Sequence, residues 1–289
     1  MGTPIPKRVL ITGASGFIGR HLREALADQP GIEVLGISLN SDKGAEQTCD
    51  LSSFAETEKL LTTFRPSSIY HCAGTFTNRW QSDLQGNVML SSNLLECMVK
   101  HPMSCRFLAI GSAAEYGRQP CPRTGIKEDA GLLPSTIYGL TKSMQTQLLS
   151  YYHRTHGVDG VVARTFNLYG DGSSPSLFPG RVLQQIEAVK AGEQADIVVG
   201  KLEARRDYIH VSEAVKAYLR IMHAGEPGEI YNVGSGVPIQ VSEMLGRLLS
   251  AHGLGWNVVR IDRTLGGRTV DVEEMFADIS KLNSLGGTQ

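Results

Sequence analysis

The sequence predicts an α/β protein: a doubly wound parallel sheet with a smaller C-terminal lobe. Three observations carry that expectation. Apolar runs of strand length alternate with helical periodicity from the N-terminus to about residue 165. The first run, Val9-Leu10-Ile11, leads into Gly13, Gly16 and Gly19, three glycines spaced three apart, and helical spacing follows at once. Later runs close on small or polar residues, Ala73-Gly74 and Ser112 among them, as strands do when they end at a ligand crevice.

The elements follow in order. A second strand is expected over Ile32 to Leu39, and a helix over Phe54 to Phe64. Ser68 to Gly74 reads as a strand, Gly86 to Lys100 as a long amphipathic helix, and Cys105 to Gly111 as another apolar strand. Residues 118–134, rich in Pro, Gly and charge, read as a surface loop. Ile137 to Thr155 is expected to be helical and Val158 to Arg164 extended. The pattern then changes to a long connection over 165–180 rich in Asn, Gly, Ser and Pro. Beyond it, helices are expected over Phe178 to Gly192 and Val211 to Ala224, and strands over Asp196 to Gly200 and Glu229 to Val233. Ser242 is placed to cap a helix running to His252. The expected organisation is a dinucleotide-binding domain over 1–165, to which 206–236 returns, and a substrate-binding lobe over 166–289.

Composition narrows the function classes. The chain has 289 residues, 41% hydrophobic and 20% charged, with net charge −1, so no global field draws it to nucleic acid or to an anionic membrane. No apolar run approaches the roughly 20 residues of a membrane span. Five cysteines without C-x-x-C spacing argue against a disulfide framework or a zinc site. A cytoplasmic protein is expected, and no His/Asp/Glu cluster has metal-ligand spacing.

Two constellations carry chemistry. The turn Gly13-Ala14-Ser15-Gly16-Phe17-Ile18-Gly19 has the spacing G-x-x-G-x-x-G, not the G-x-G-x-x-G of the common dinucleotide fingerprint. Gly13 is expected to make the tight turn, Gly16 to let backbone approach a pyrophosphate, and Gly19 to let helix pack on strand. The N–H groups of the first helical turn then face the anion. Tyr138 and Lys142 are four apart in a helical segment, so they share a face. A lysine ammonium beside a phenol is expected to lower a pKa that is ordinarily about 10, making Tyr138 a general acid or base. Ser112, 26 positions earlier at the end of a strand, could reach the same substrate oxygen. Ser, Tyr and Lys in a dinucleotide crevice suit hydride transfer at a carbinol or carbonyl.

Further motifs run through the chain in one order. They are Asp50-Leu51, His71-Cys72-Ala73-Gly74, Asn87, Ser112 to Gly117, Tyr138-Gly139-Leu140-Thr141-Lys142, Arg164 to Gly170, Arg206 to Val211, Tyr231 to Gly236, and Arg268 before Asp271-Val272. With the glycine turn, they resemble the extended short-chain dehydrogenase/reductases (Rossmann-type folds) of the nucleotide-sugar epimerase/dehydratase family. The resemblance implies Ser112, Tyr138 and Lys142 as the catalytic set. It implies a cofactor site of Gly13, Ser15, Gly16, Phe17, Ile18 and Gly19, with Asp50 and Leu51 by the adenine, Ala73 lining the cofactor, and Lys142 on the nicotinamide ribose. Asn167, Arg206 and Arg268 would hold a sugar nucleotide, the arginines at its diphosphate, where a guanidinium fork suits phosphate oxygens. It also implies a homodimer pairing Gly86–Lys100 and Ile137–Thr155 across a two-fold axis. His71 and His210 are read as structural.

Dehydratases of this family carry an acid just after the Ser/Thr, whereas this chain has Ala113 and Ala114 there, with Glu115 one place late. A 4-ketoreductase or a 4-epimerase remains, and the run Ile110 to Gly117 with Arg205 to Tyr208 looks most like the reductases of GDP-4-keto-6-deoxy-mannose. A non-catalytic NADP-binding sensor is the alternative outside enzymes. Ser38 stands where NAD-preferring sites place an acid on the ribose 2′-hydroxyl, and Lys43 follows. NADP is therefore preferred over NAD, with Ser38 at the ribose.

Overall fold

The computed structural model describes residues 7–27, 29–40, 45–265 and 272–286. The chain opens with β1 (Lys7–Thr12), α1 (Phe17–Ala27), β2 (Ile32–Ser38) and the short β3 (Gln47–Thr48). There follow α2 (Phe54–Phe64), β4 (Ser68–His71), α3 (Trp80–Asp83), a π-helical turn over Leu84–Met89, and α4 (Leu90–Lys100). Next come β5 (Arg106–Ser112), a 3-10 turn over Ala113–Glu115, α5 (Ile137–His156), β6 (Gly160–Thr165) and β7 (Asn167–Tyr169). The remainder comprises α6 (Phe178–Lys190), β8 (Ile197–Val199), β9 (Arg205–His210), α7 (Val211–Ala224), β10 (Ile230–Val233) and β11 (Pro238–Gln240). The chain closes with α8 (Val241–Ala251), β12 (Val259–Ile261), β13 (Glu274–Met275) and α9 (Ser280–Ser284).

The central sheet has seven strands in the order β10-β6-β5-β4-β1-β2-β3, all parallel. Its strands are apolar because both faces are covered: every residue of β6 is buried. One face packs α1 and α7 through Leu22, Leu26, Val215 and Tyr218, and the other packs α2, α4 and α5 through Leu61, Leu94 and Leu149. The strand order reverses between β1 and β4, so the crevice lies beyond their carboxyl ends, at Thr12 and His71. A smaller four-stranded sheet, β11-β9-β13 with β7 on β9, and the pair β12-β8 pack with α6 and α8 around a separate core.

Local chemistry sets the helix ends. Ser53 caps α2, accepting from the Glu56 N–H, and Arg65 closes it at φ +49°. Thr136 caps α5, and Gly157 at φ +68° ends it. Several boundaries differ from expectation. Helix is already present at Trp80, and the π turn inserts a residue that faces Asn87 inward, where it is fully buried. Ser242 lies inside α8, whose N-cap is Gln240. There β11 pairs with β9 up to the helix, and carbonyls of Ala204 and Leu202 accept the Val241 and Ser242 N–H groups, so no side-chain cap is required. Residues 205–210 had no expected element, yet β9 is the centre of the smaller sheet. Its leading Arg205 and Arg206 hide the apolar run Tyr208-Ile209.

Candidate active site

The glycine turn has the geometry its spacing demands. Gly13 sits at φ +65°, and a Cβ there would lie 2.7 Å from the Ala73 nitrogen. A Cβ on Gly19 would lie 2.3 Å from the Gly13 carbonyl oxygen, so α1 can approach the turn only without a side chain. Phe17 and Ile18 are half-buried against the α1-side core, and Gly16 is exposed. The Ser15 N–H donates to the buried Ser38 hydroxyl at 3.0 Å, which ties the turn to the end of β2. Asp50 uses a carboxylate oxygen to accept from the Ser52 N–H at 2.9 Å, and Leu51 is buried.

A buried hydrogen-bond chain runs from this turn to α5. The Ser91 hydroxyl donates to the Asn87 carbonyl at 3.0 Å, so it accepts from Gln145 Nε2 at 2.7 Å and from His71 Nε2–H at 2.9 Å. His71 Nδ1 is then the acceptor for the Thr12 hydroxyl at 2.8 Å, and Thr12 Oγ1 accepts the Ala73 N–H at 3.2 Å. Every donor in the chain has an acceptor with His71 neutral. Burial, helped by the Lys142 charge, pushes the His71 pKa down to about 3. Gln145 Oε1 accepts from Lys142 Nζ at 2.9 Å, and the Ile110 carbonyl accepts from the same ammonium at 2.7 Å. That leaves one ammonium hydrogen, and a Cβ on the exposed Gly74 would lie 3.6 Å from Nζ. Gly13, Ala73, the exposed Gly74 and the remaining Lys142 hydrogen thus meet at the switch point, where backbone bare of side chains beside a positive charge suits an anionic cofactor.

Tyr138 stands one helical turn before Lys142, with its hydroxyl in hydrogen-bond contact with Ser112. The expected lowering of its pKa does not hold. Burial raises the phenol to about 12; the Ser112 bond opposes this, and the Glu115 and Asp83 charges reinforce it. The physical reason is that desolvation outweighs the rest, and the Lys142 ammonium donates to Ile110 and Gln145 rather than to the phenol oxygen, so no hydrogen bond from it offsets the burial. Burial also brings Lys142 itself down to about 8, against the pull of Glu115 and Cys72. In this arrangement the phenol is protonated at neutral pH.

Sequence reasoning pointed to Asn78, Arg79 and Trp80 as a loop near the sugar but did not anticipate the parts that Phe76 and Asp83 play in the wall over Tyr138. The Phe76 ring meets the Tyr138 ring edge-on, centroids 4.6 Å apart. Asn78 Oδ1 accepts the Tyr138 N–H at 3.3 Å, from a backbone at φ +56°. The buried Asp83 carboxylate holds this segment by accepting from Thr75, Thr77 and Asn78 at 2.8–3.1 Å. The signal was present as a Thr-rich loop followed by an acid at the next helix start. Glu115 is likewise fully buried, paired with Arg164 at 3.0 Å.

A family model for the NAD dependent epimerase/dehydratase family matches residues 9–234. The chain belongs to that family. It is therefore an NAD(P)-dependent enzyme of the short-chain dehydrogenase/reductase type. It is 30% identical to the GDP-6-deoxy-D-mannose reductase of Pseudomonas aeruginosa over 83% of this chain and 78% of that protein. It is 27% identical to a dTDP-glucose 4,6-dehydratase of Streptomyces niveus, over 88% and 80%. Among solved structures, RMD from Pseudomonas aeruginosa complexed with NADPH superposes with a TM-score of 0.83 at 26% identity, over 96% and 92%. The Thermus thermophilus UDP-glucose 4-epimerase complex with NAD superposes at 0.81 and 26%, over 97% and 93%.

The family's remaining motifs serve largely as packing. The fully buried Asp207 carboxylate accepts from Ser235, Gly236 and Ala277 N–H groups, which knots the Gly234–Gly236 turn to the end of the chain. His210 caps α7 by accepting from the Ser212 N–H. Asn167 is half-buried and donates to the Asp207 carbonyl at 2.9 Å, while the Arg206 guanidinium donates to the Arg205 carbonyl at 2.8 Å. Arg268 and Lys43 lie outside the described residues. Among those described, no group of three His, Cys, Asp or Glu residues could hold a metal ion, and no helix is long and apolar enough to cross a membrane.

Proposed function

We propose that the protein reduces the 4-keto group of a nucleotide-activated 6-deoxy-hexose, of the GDP-4-keto-6-deoxy-mannose kind, with NADPH. The observation that carries this reading is the Ser112–Tyr138 hydroxyl pair standing without a second acid. Glu115, the nearest carboxylate in sequence, points inward to Arg164, whereas elimination of water requires a further acid–base group. The likeness to the Pseudomonas reductase supports the same choice. NADPH is favoured over NADH because β2 ends on Ser38 rather than on an acid, and the Glu46 carboxylate beside Gly36 is paired with Arg23.

A bound nicotinamide supplies the hydride. The chain's own residues handle the oxygen. Ser112 hydrogen-bonds the carbonyl oxygen and orients it. Tyr138, protonated at neutral pH, gives its proton to that oxygen as the C–O π pair collapses onto it, and the phenolate is reprotonated from solvent. Lys142 stabilises the phenolate by its charge and holds the nicotinamide ribose with its remaining hydrogen. Gly13 to Gly19 cradle the pyrophosphate, with Asp50, Leu51 and Ala73 along the rest of the cofactor. Asn167, Arg206 and Arg268 hold the sugar nucleotide, and the working unit is a homodimer through α4 and α5.

Incubation with GDP-4-keto-6-deoxy-mannose and NADPH should consume the absorbance of the reduced nicotinamide. No oxidation with that substrate or its dTDP and UDP analogues would overturn the reading. The likeness to the Thermus epimerase supports a second reading, a 4-epimerase that keeps NAD. Protein that purifies with stoichiometric NAD and interconverts UDP-sugars without added cofactor would establish that one.

A further inference from the structure

Glu115 has a place in the site that its burial conceals. Its Oε1 accepts the Ser112 backbone N–H at 2.8 Å. Its Oε2 accepts the Thr146 hydroxyl at 2.9 Å and Arg164 Nε at 3.1 Å. Ser112 ends β5, Thr146 lies one turn beyond Lys142 on α5, and Arg164 is on β6. One carboxylate therefore joins the strand tip carrying Ser112 to the helix carrying Tyr138 and Lys142, and braces both against the next strand. The surroundings are shaped around it. A Cβ on Gly111 would lie 2.7 Å from Glu115 Oε1, so glycine makes room for the carboxylate. A Cβ on Gly139 would lie 2.3 Å from the Ala114 carbonyl oxygen, so α5 packs directly on the 3-10 turn that holds Glu115. The Arg164 guanidinium lies over the Tyr116 ring at 4.7 Å and donates to the Glu128 carbonyl, which fixes the partner as firmly as the acid.

We infer that Glu115 is a positioning residue that sets the distance between Ser112 and the Tyr138/Lys142 face of α5. The inference rests on the reading that these three residues carry the hydride-transfer chemistry. Glu115 touches neither substrate nor cofactor in this scheme; it acts through the Ser112 backbone and through Thr146. The charged and titratable groups facing it are Arg164 from β6, Tyr116 from the 3-10 turn, and Tyr138 and Lys142 from α5. Its charge raises the proton affinity of both Tyr138 and Lys142, so its loss has an electrostatic signature beside the geometric one.

The test separates the two with Thr146→Val, Thr146→Ser and Glu115→Gln. Thr146→Val cuts the tie to α5 and keeps the charge. It should lower kcat about tenfold with KM for NADPH within about twofold, because small misplacements of catalytic groups are costly in the transition state. Thr146→Ser, which restores the hydroxyl, should recover kcat. Glu115→Gln should lower kcat further and move the Tyr138 titration to lower pH. That titration is read by fluorine NMR of 3-fluorotyrosine-labelled protein, with the resonance assigned by Tyr138→Phe. If Glu115→Gln does not fold, the two Thr146 variants decide the matter alone. Folded Thr146→Val and Glu115→Gln that retain wild-type kcat, with Tyr138 titrating as before, would overturn the inference. If wild-type protein turns over no substrate, the functional reading fails by itself. The Tyr138 titration and resonance position then still decide whether Glu115 sets that residue's surroundings.

Discussion

The two walls of the crevice are built differently. The proposed cofactor wall, from Thr12 through His71, Ser91 and Gln145 to Lys142, consists of buried groups joined in one hydrogen-bond chain, with one Lys142 hydrogen left over. The proposed substrate wall presents Asn167, Arg206 and the 74–80 segment, half-buried or exposed residues, with 75–78 suspended from the buried Asp83 and Asn87 side chains. The first wall is over-determined by packing, so changing one member leaves buried polar groups unsatisfied. The second can change its exposed side chains at little expense to the fold as long as the buried Asp83 and Asn87 beneath them stay. That difference explains how one scaffold serves reductases, dehydratases and epimerases among this chain's relatives.

The contrast breaks if catalysis survives damage to the shared machinery. Tyr138→Phe should lower kcat by about 10²–10⁴, the usual contribution of a positioned proton donor, while NADPH still binds by fluorescence titration. Undiminished turnover would remove the phenol from the proton path. Gly19→Val is the next largest effect and acts on stability. Its Cβ meets the Gly13 carbonyl oxygen at 2.3 Å, which forces backbone to move. A loss on the order of 2–3 kcal/mol is expected, seen as a lowered Tm together with lost cofactor affinity. Arg206→Ala tests the other wall. It should raise KM for the sugar nucleotide about tenfold, the value of one charge-assisted hydrogen bond to phosphate, with Tm unchanged. A matching fall in Tm would make Arg206 part of the frame.

The same division governs what could be read from sequence. Gly13 and Gly19 were legible because backbone sterics allow nothing else there. The alternation of apolar runs revealed the parallel sheet because both its faces are buried. Tyr138 and Lys142 were legible as a pair by helical spacing, but the partners of the Lys142 ammonium were not. Ile110 and Gln145 claim it through a fold that brings residues 32 and 3 positions away to one point. Glu115 read as a displaced acid because the sequence cannot show which way a carboxylate turns; the structure faces it inward to Arg164, which is 49 positions distant. The Phe76 wall left only the Thr-rich loop before an acid as its signal, because Asp83 assembles it from short polar residues without periodicity.

The last and smallest effect is a pH dependence that sharpens the comparison, because it belongs to the cofactor wall alone. Burial pulls Lys142 down to about 8, while Tyr138 stays protonated up to about 12. Reduction requires the phenol protonated and the ammonium charged. Its rate should therefore be level around neutrality and fall as pH rises through about 8, by up to about tenfold at pH 9, which is one pH unit above that midpoint. Stability moves the other way. The folded-state pKa of Lys142 lies below its unfolded value of 10.5, so between about 8 and 10.5 the unfolded chain binds more protons. In that window the Lys142 contribution to stability rises with pH. Rate and Tm measured together from pH 7 to pH 10 in the same buffers separate the two cases. A falling rate with a steady or rising Tm assigns the loss to Lys142, and Lys142→Met should abolish its share of the Tm gain. Rate and Tm falling together would instead mean that the fold opens at alkaline pH, and the lysine would not be the group that titrates.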